Sequence, residues 1–292
     1  MNMLLRKIRH LTEYALFLVV INFLKAFNID RSADLCAFIA RKIGKFLPVT
    51  NIARKNLQIA FGARFNSAQI IDDLWDNFGR FIGEFPHLAY MSAEEIDKRV
   101  IIEGIENVAE LQQSGQPFLL WTGHFANWDF ALKIINKLYP KFALTYRKAN
   151  NPYINEAINH FRNKQDVLLI AKGRNGGKDL VKALKAGYAI AMLVDQKMND
   201  GIAVPFFGRP VMTAHAIAKL ALQFGYPIVP LQIVRTQGSY FKITIYQQLP
   251  LVKTGDNNKD LYNIMLQINQ LLEKWIKEHP SQWFWFHRRW GK

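Results

Sequence analysis

Phe118-Leu119-Leu120-Trp121-Thr122 runs directly into Gly123-His124-Phe125-Ala126-Asn127-Trp128-Asp129. The first five residues are apolar or β-prone, too few for a stable helix and closed by a glycine, which predicts a strand buried on both faces. Apolar runs of the same kind recur at 143–146, 167–171, 189–194 and 227–234, with segments of helical length such as 179–186 between most of them. Short, fully apolar strands alternating with helices predict an α/β fold, a central and mostly parallel sheet with helices on both faces. The segment 240–246 (YFKITIY) alternates apolar with polar and follows Gln237-Gly238-Ser239, so it is expected as an antiparallel strand at or near an edge. Beyond it Leu261, Ile264, Met265, Ile268, Leu271, Leu272, Trp275 and Ile276 form one helical stripe that belongs in a core. Upstream the chain reads as helical to about residue 98, with Asn66-Ser67 as a cap before a helix over 68–90.

The 292 residues carry 38 Lys and Arg against 23 Asp and Glu, a formal net charge of +15, with 50% hydrophobic and 21% charged residues. That balance excludes a disordered polycation, and a chain of this length buries about three-quarters of its unfolded surface. No linker, repeat or charge block divides it, so residues 28–292 are expected to form a single α/β domain behind a distinct N-terminal segment, 1–27. The single cysteine, Cys36, excludes an internal disulfide framework and a multi-Cys zinc site. The positive charge calls for an acidic partner: nucleic acid, an anionic membrane, or an acidic protein or phosphorylated substrate.

Arg6, Lys7 and Arg9 precede an apolar run of 11 residues at 14–24, closed by Lys25. No A-x-A-like cleavage site follows, and Ala33-Asp34-Leu35-Cys36 lacks the small residues of a lipoprotein signal. Eleven helical residues span about 16 Å, short of the roughly 30 Å hydrocarbon core. Two readings stand, a buried core helix and a basic-flanked membrane-associating helix that dips into one leaflet; the second is favoured.

In parallel sheets chemistry gathers at the carboxyl ends of strands. His124 stands in the loop after the first strand, and Asp129 follows five positions later. Five residues on a continuous helix rotate about 500°, leaving two side chains about 140° apart, so the pair meets only if His124 lies in a turn before the helix. Gly123 favours such a turn. Asp129 early in the helix would then hold one imidazole nitrogen and leave the other to take a proton as a general base. The plain alternative is a capped helix start. Arg147 and Asp195 also follow strands. For each the plain reading is a structural ion pair, Asp195 with a neighbouring arginine.

Gly123-His124-Phe125-Ala126-Asn127-Trp128-Asp129 resembles the H-x4-D/E motif of glycerolipid acyltransferases in the form carried by the lipid A biosynthesis lauroyl/myristoyl acyltransferase family. Further segments are similar to that family in the same order: Arg54-Lys55-Asn56-Leu57 with Ala60-Phe61, Tyr146-Arg147 with Asn151-Pro152, Asp195-Gln196, Val204-Pro205-Phe206-Phe207-Gly208, Thr213-Ala214, and Trp285-Phe286-His287-Arg288-Arg289-Trp290. The likeness covers nearly the whole chain. Its departure is Asp129, where many members carry Glu.

The resemblance implies acyl transfer from an acyl carrier protein thioester, or from acyl-coenzyme A, to a hydroxyl of a lipid A precursor. His124 is then the base and Asp129 its orienting partner, with Arg147, Asp195, Asn127 and Arg288 as substrate-binding candidates. A thioester is already activated, so no metal or organic cofactor is required. Carrier, acceptor and anionic membrane are all negative, which accounts for the charge. Cytosolic donors and the positive-inside bias favour a monotopic protein on the cytoplasmic face of the cell inner membrane. The aromatics at 283–290 either sit at headgroup level or pack in the core.

Gly173-Arg174-Asn175-Gly176-Gly177-Lys178-Asp179 is not a P-loop, because Lys172 replaces the first Gly and Asp179 the Ser/Thr, so an NTPase is not expected. It reads as a solvated turn or as a phosphate-binding loop before a helix. The alternative function is a related acyltransferase acting on a lysophospholipid or glycolipid. A noncatalytic membrane or nucleic-acid module is disfavoured by scattered charge and by the lack of any nucleic-acid motif.

Overall fold

The computed structural model describes residues 3–163, 167–173 and 175–291. Helices α1 (Met3–Lys25), α2 (Ile29–Gly44), α3 (Val49–Phe61), α4 (Ala68–Leu88) and α5 (Ala93–Arg99) come first. Asn28 caps α2 by accepting from Arg31 N, and Ser92 with Glu95 forms a capping box on α5. Before α4 it is Asn66 that supplies a side-chain acceptor, to Ala68 N at 3.1 Å.

The alternating part follows: β1 (Val100–Glu103), α6 (Ala109–Ser114), β2 (Leu119–Thr122), α7 (Trp128–Leu138), β3 (Phe142–Tyr146), α8 (Pro152–Asn163), β4 (Leu168–Ala171), α9 (Gly176–Lys185) and β5 (Ala189–Leu193). A two-stranded antiparallel hairpin, β6 (Lys197–Phe206) and β7 (Arg209–Thr213), precedes α10 (Ala216–Phe224), β8 (Ile228–Gln237), β9 (Tyr240–Ile245) and α11 (Asn257–Glu278). Each apolar run singled out in the sequence is a strand. The loop after β4 contains Arg174, which lies outside the described residues.

The seven-stranded sheet has the order β1-β9-β8-β2-β5-β3-β4. From β8 to β4 all neighbours are parallel, while β9 runs antiparallel to β8 and parallel to β1. β9 is therefore next to the edge, and β1, too short and too exposed to signal itself in the sequence, is the edge strand. The sheet is covered on both faces. Trp121 of β2 stacks on Trp275 of α11 at 4.9 Å between ring centroids, whereas its neighbour Leu120 points to the opposite face, where α7 packs. Strand order also departs from chain order at the centre: β5 lies between β2 and β3.

The helical N-terminal part is held to this core by buried polar pairs. Glu84 of α4, fully buried, forms an ion pair with Arg235 of β8, which also donates to Asn77 at 2.9 Å. Asn56 of α3 donates to the carbonyls of Trp285 and His287, both at 2.8 Å. Trp283 and Trp285 are completely buried, so the C-terminal aromatics pack in the core.

Apolar side chains lie exposed on α1, on α2 and in the turn after α2, among them Val19 at 66%, Phe38 at 62% and Phe46 at 79%. Lys42 and Lys45 stand over the rings of Phe38 and Phe46. No helix among the described residues is long and apolar enough to cross a membrane.

Candidate active site

Parallel pairing of β2 with β5 matches Thr122 with Leu193. Two residues beyond each partner stand His124 and Asp195, and adjacent strands lie about 4.8 Å apart, so the two loops meet by register alone. Asp195, with no exposed surface, accepts from His124 Nδ1 at 2.6 Å, from the His124 backbone N–H at 2.7 Å and from Trp283 Nε1 at 2.8 Å. A carboxylate only accepts, so Nδ1 donates to Asp195 and Nε2 is the ring nitrogen left facing away from it. Gln196 Nε2 lies 3.3 Å from that nitrogen.

Burial by itself would raise the Asp195 carboxyl, but the charge of and hydrogen bonds from His124 outweigh it and hold the group well below the ordinary carboxylate range. His287, whose ring centroid is 6.3 Å from that of His124, is pushed down to about 3 by burial and stays neutral.

The loop itself is tightly constrained. A Cβ on Gly123 would come within 2.9 Å of Leu272 Cδ1, 3.1 Å of Phe125 Cδ2 and 3.2 Å of Asp195 Oδ2, so a side chain here would press on all three neighbours. Ala126 has φ 42°, a left-handed conformation that costs a residue with a side chain. The C-terminal segment holds it there: Ala126 N donates to Gln282 O and Phe284 N to His124 O, both at 2.9 Å.

The carboxylate on His124 is thus Asp195, where the sequence spacing had pointed to Asp129. Asp129, the second residue of α7 and nearly fully buried, instead receives Arg162 of α8, with Nη2 at 2.8 and 3.1 Å and Nε at 3.2 Å. Its carboxylate is directed across to α8 while His124 is drawn to the β5 loop. Asn127 is also placed differently from expectation. It is fully buried, its Oδ1 caps α7 through Phe130 N and its Nδ2 donates to Glu84, so these bonds hold the loop. Arg288 is exposed and outside the cavity lining; its neighbour Arg289 is the buried one, donating to the Gln196 and Met212 carbonyls, Thr213 and Asn269. Burial pushes the Arg289 guanidinium down to about 10.

A cavity of about 250 Å³ opens beside His124, between α7 and the carboxyl half of the sheet. Its polar end carries His124, Asp129, Arg162, Gln196, Arg147 and Lys172, the last two directly after β3 and β4. Desolvation lowers the Lys172 ammonium from its ordinary value, against the opposing charge of Asp195. Its other end is apolar, walled by Leu120, Leu132, Ile135, Leu144 and Ala191. Among the described residues no group of three or more His, Cys, Asp or Glu side chains is arranged to hold a metal. Arg162, Trp283 and Arg289 had no individual role in the sequence reading, because each acts through a partner far away in the chain.

A basic residue cluster, a histidine held by a carboxylate and an apolar cavity recur in many enzymes; the sequence as a whole decides the family. The model of the bacterial lipid A biosynthesis acyltransferases matches residues 2–292. The chain belongs to that family. Among curated relatives, the lipid A biosynthesis palmitoleoyltransferase of Escherichia coli (strain K12) is 25% identical over 245 residues, covering 82% of this chain and 78% of its own length. The lipid A biosynthesis myristoyltransferase of the same organism is 23% identical over 234 residues, covering 79% and 71%. The phosphatidylinositol mannoside acyltransferase of Mycobacterium tuberculosis (strain CDC 1551 / Oshkosh) is 21% identical over 247 residues, covering 81% and 76%. The lipid A acyltransferase family is thus the one that the ordered motifs resemble, and membership makes this chain an acyltransferase; the relatives' names span different acyl groups.

Proposed function

We propose that this chain moves a fatty acyl group from a carrier-bound thioester to a hydroxyl of a lipid A precursor, with His124 as general base and Asp195 as the residue that positions it. The observation that carries this reading is His124, held from behind by Asp195, on the wall of a cavity with one cationic and one apolar end. In the reaction the acceptor oxygen attacks the thioester carbonyl carbon as His124 Nε2 takes its proton. The carbonyl π electrons move to oxygen, then return as the C–S bond breaks, and the leaving thiolate takes the proton back from the imidazolium. Arg147 and the Gln196 amide are the donors available to the oxyanion, and the apolar end suits the acyl tail. Lys148, Arg6 and Lys7 line a surface groove of about 530 Å³, next in sequence to the exposed Arg147 of the cavity, and present positive charge to an acidic carrier or a phosphorylated acceptor. The exposed apolar side chains of α1 and α2, flanked by lysines, support attachment to the cytoplasmic face of the inner membrane without a spanning helix.

The test is mass spectrometry of lipid A from cells with the chain, without it, and with His124→Ala. One acyl group should be missing in the last two. Purified chain supplied with acyl carrier protein or coenzyme A thioesters then identifies the donor. A second reading, acylation of another glycolipid, draws on the phosphatidylinositol mannoside relative; unchanged lipid A beside an altered glycolipid would favour it.

A further inference from the structure

The gap between α7 and the sheet does not end at the cavity floor. Phe118, Leu120 and Thr122 alternate along the second strand and its approach, so their side chains share one face. Against it α7 presents Leu132, Ile135 and Leu138, spaced three residues apart on one side of the helix. Thr122 and Leu132 line the cavity that holds His124. Phe118 and Leu138 line a second, small void with Val108, Leu231 and Ile245. Leu120 and Ile135 line both. Leu120 and Ile135, each 3% exposed, are therefore the side chains that the walls of the two spaces share. From Trp128 beside His124 to Leu138 the helix rises about 15 Å, comparable to an extended acyl chain of medium length. The lower segment holds only about 10 Å³ against about 250 Å³ above, so a tail descending from the polar end stops where these two side chains meet.

Resting on the acyl-transfer reading, we propose that Leu120 and Ile135 form the stop that sets acyl chain length. The thioester carbonyl sits at His124, the hydrocarbon tail runs down between α7 and the sheet, and its terminal methyl abuts this pair. Trimming either side chain joins the two spaces and admits further methylenes; enlarging Ile135 shortens the channel. One methylene in an apolar pocket changes kcat/KM by roughly 10–200-fold, so the effect is large enough to read as a shift in preferred length.

The experiment uses the purified full chain with a mixture of saturated acyl thioesters two carbons apart, and weighs the products. Ile135→Ala and Leu120→Ala should move the preferred chain upward by at least one step, raising the longer-to-parent ratio of kcat/KM about tenfold or more. Ile135→Phe should move it downward. Because deep trimming of a core costs stability, Ile135→Val and Leu120→Val are included and should shift the ratio in the upward direction by a smaller factor. Variants that transfer acyl groups with unmoved preference overturn the stop and leave the acyltransferase reading intact. Failure of the unaltered chain to transfer any length overturns that reading itself.

Discussion

His124 and Asp129 sit on one cavity wall yet belong to different pairs, and substitution separates them. Asp195→Asn removes the charge that fixes the imidazole tautomer and stabilises the imidazolium, and should slow acyl transfer by about a hundredfold or more. His124→Ala should do at least as much, and the double variant should be little worse than the worse single, since the two act as one unit. Asp129→Asn is expected to behave otherwise. It leaves the Arg162 guanidinium, 15% exposed, without its carboxylate, so stability should fall by about 1–3 kcal/mol, read by chemical or thermal unfolding. Unchanged stability in Asp129→Asn would mean that the Arg162 pair contributes nothing, and normal turnover in folded Asp195→Asn would remove Asp195 from the mechanism. At this scale the position of His124 after a buried strand, on the cavity wall, was legible from the apolar run that precedes it. Its partner was not, since nearness in sequence selected Asp129 and nearness in space selects Asp195.

Between elements, the closest contact of the helical layer is that of α2 on α4. It depends on two glycines of α4: a Cβ on Gly79 would lie 2.5 Å from Cys36 O, and one on Gly83 would lie 2.4 Å from Ser32 O. Ser32 uses the same closeness to donate to Gly83 O at 2.7 Å. Backbone cannot yield as a flexible side chain does, so Gly83→Ala must push the helices apart. It should lower stability by about 1–3 kcal/mol despite alanine's better helix propensity. An alanine that stabilises the protein in a denaturant titration would show that the layer adjusts freely. Glu84, the next residue, ties this helix to the sheet through Arg235 and to the His124 loop through Asn127, so a shift of α4 should also be felt in turnover. The helical character of this stretch was legible, as was the start of α4 at Asn66-Ser67, but the division of the stretch into α2, α3 and α5 was not. The glycine contact was not, because a glycine inside a helical pattern looks only like a weak spot until the facing backbone is known.

For the molecule as a whole, the expected attachment is peripheral. The +15 charge should draw the chain to anionic lipid, with the exposed apolar side chains at α2 and its following turn as the area expected to insert. Phe38→Glu with Phe46→Glu removes that area at positions 62% and 79% exposed, where the fold has little to lose. Flotation with anionic liposomes should show the unaltered chain bound, less so at high salt, and the double variant mostly released. Equal flotation of both would remove α2 from the membrane surface. These exposed positions make a cleaner test than deleting residues 1–27, because α1 buries His10, Ile21 and Leu24 and its His10 carbonyl accepts from Asn151.

Local sequence determined the α/β class, the strands after which the site residues stand, the antiparallel turn of the last strand and the core stripe of α11. Each is written in side-chain periodicity within one segment, and the ordered motifs carry the family. Pairing order is not a local property. β5 inserts between β2 and β3, and only that insertion brings Asp195 to His124, sends Asp129 to Arg162, and lets residues 282–284 clamp the loop at 124–126. The chain encodes these contacts in packing between segments far apart, where no spacing rule reaches. Tertiary structure alone therefore decided which carboxylate serves the histidine, and it did so through the register of two parallel strands.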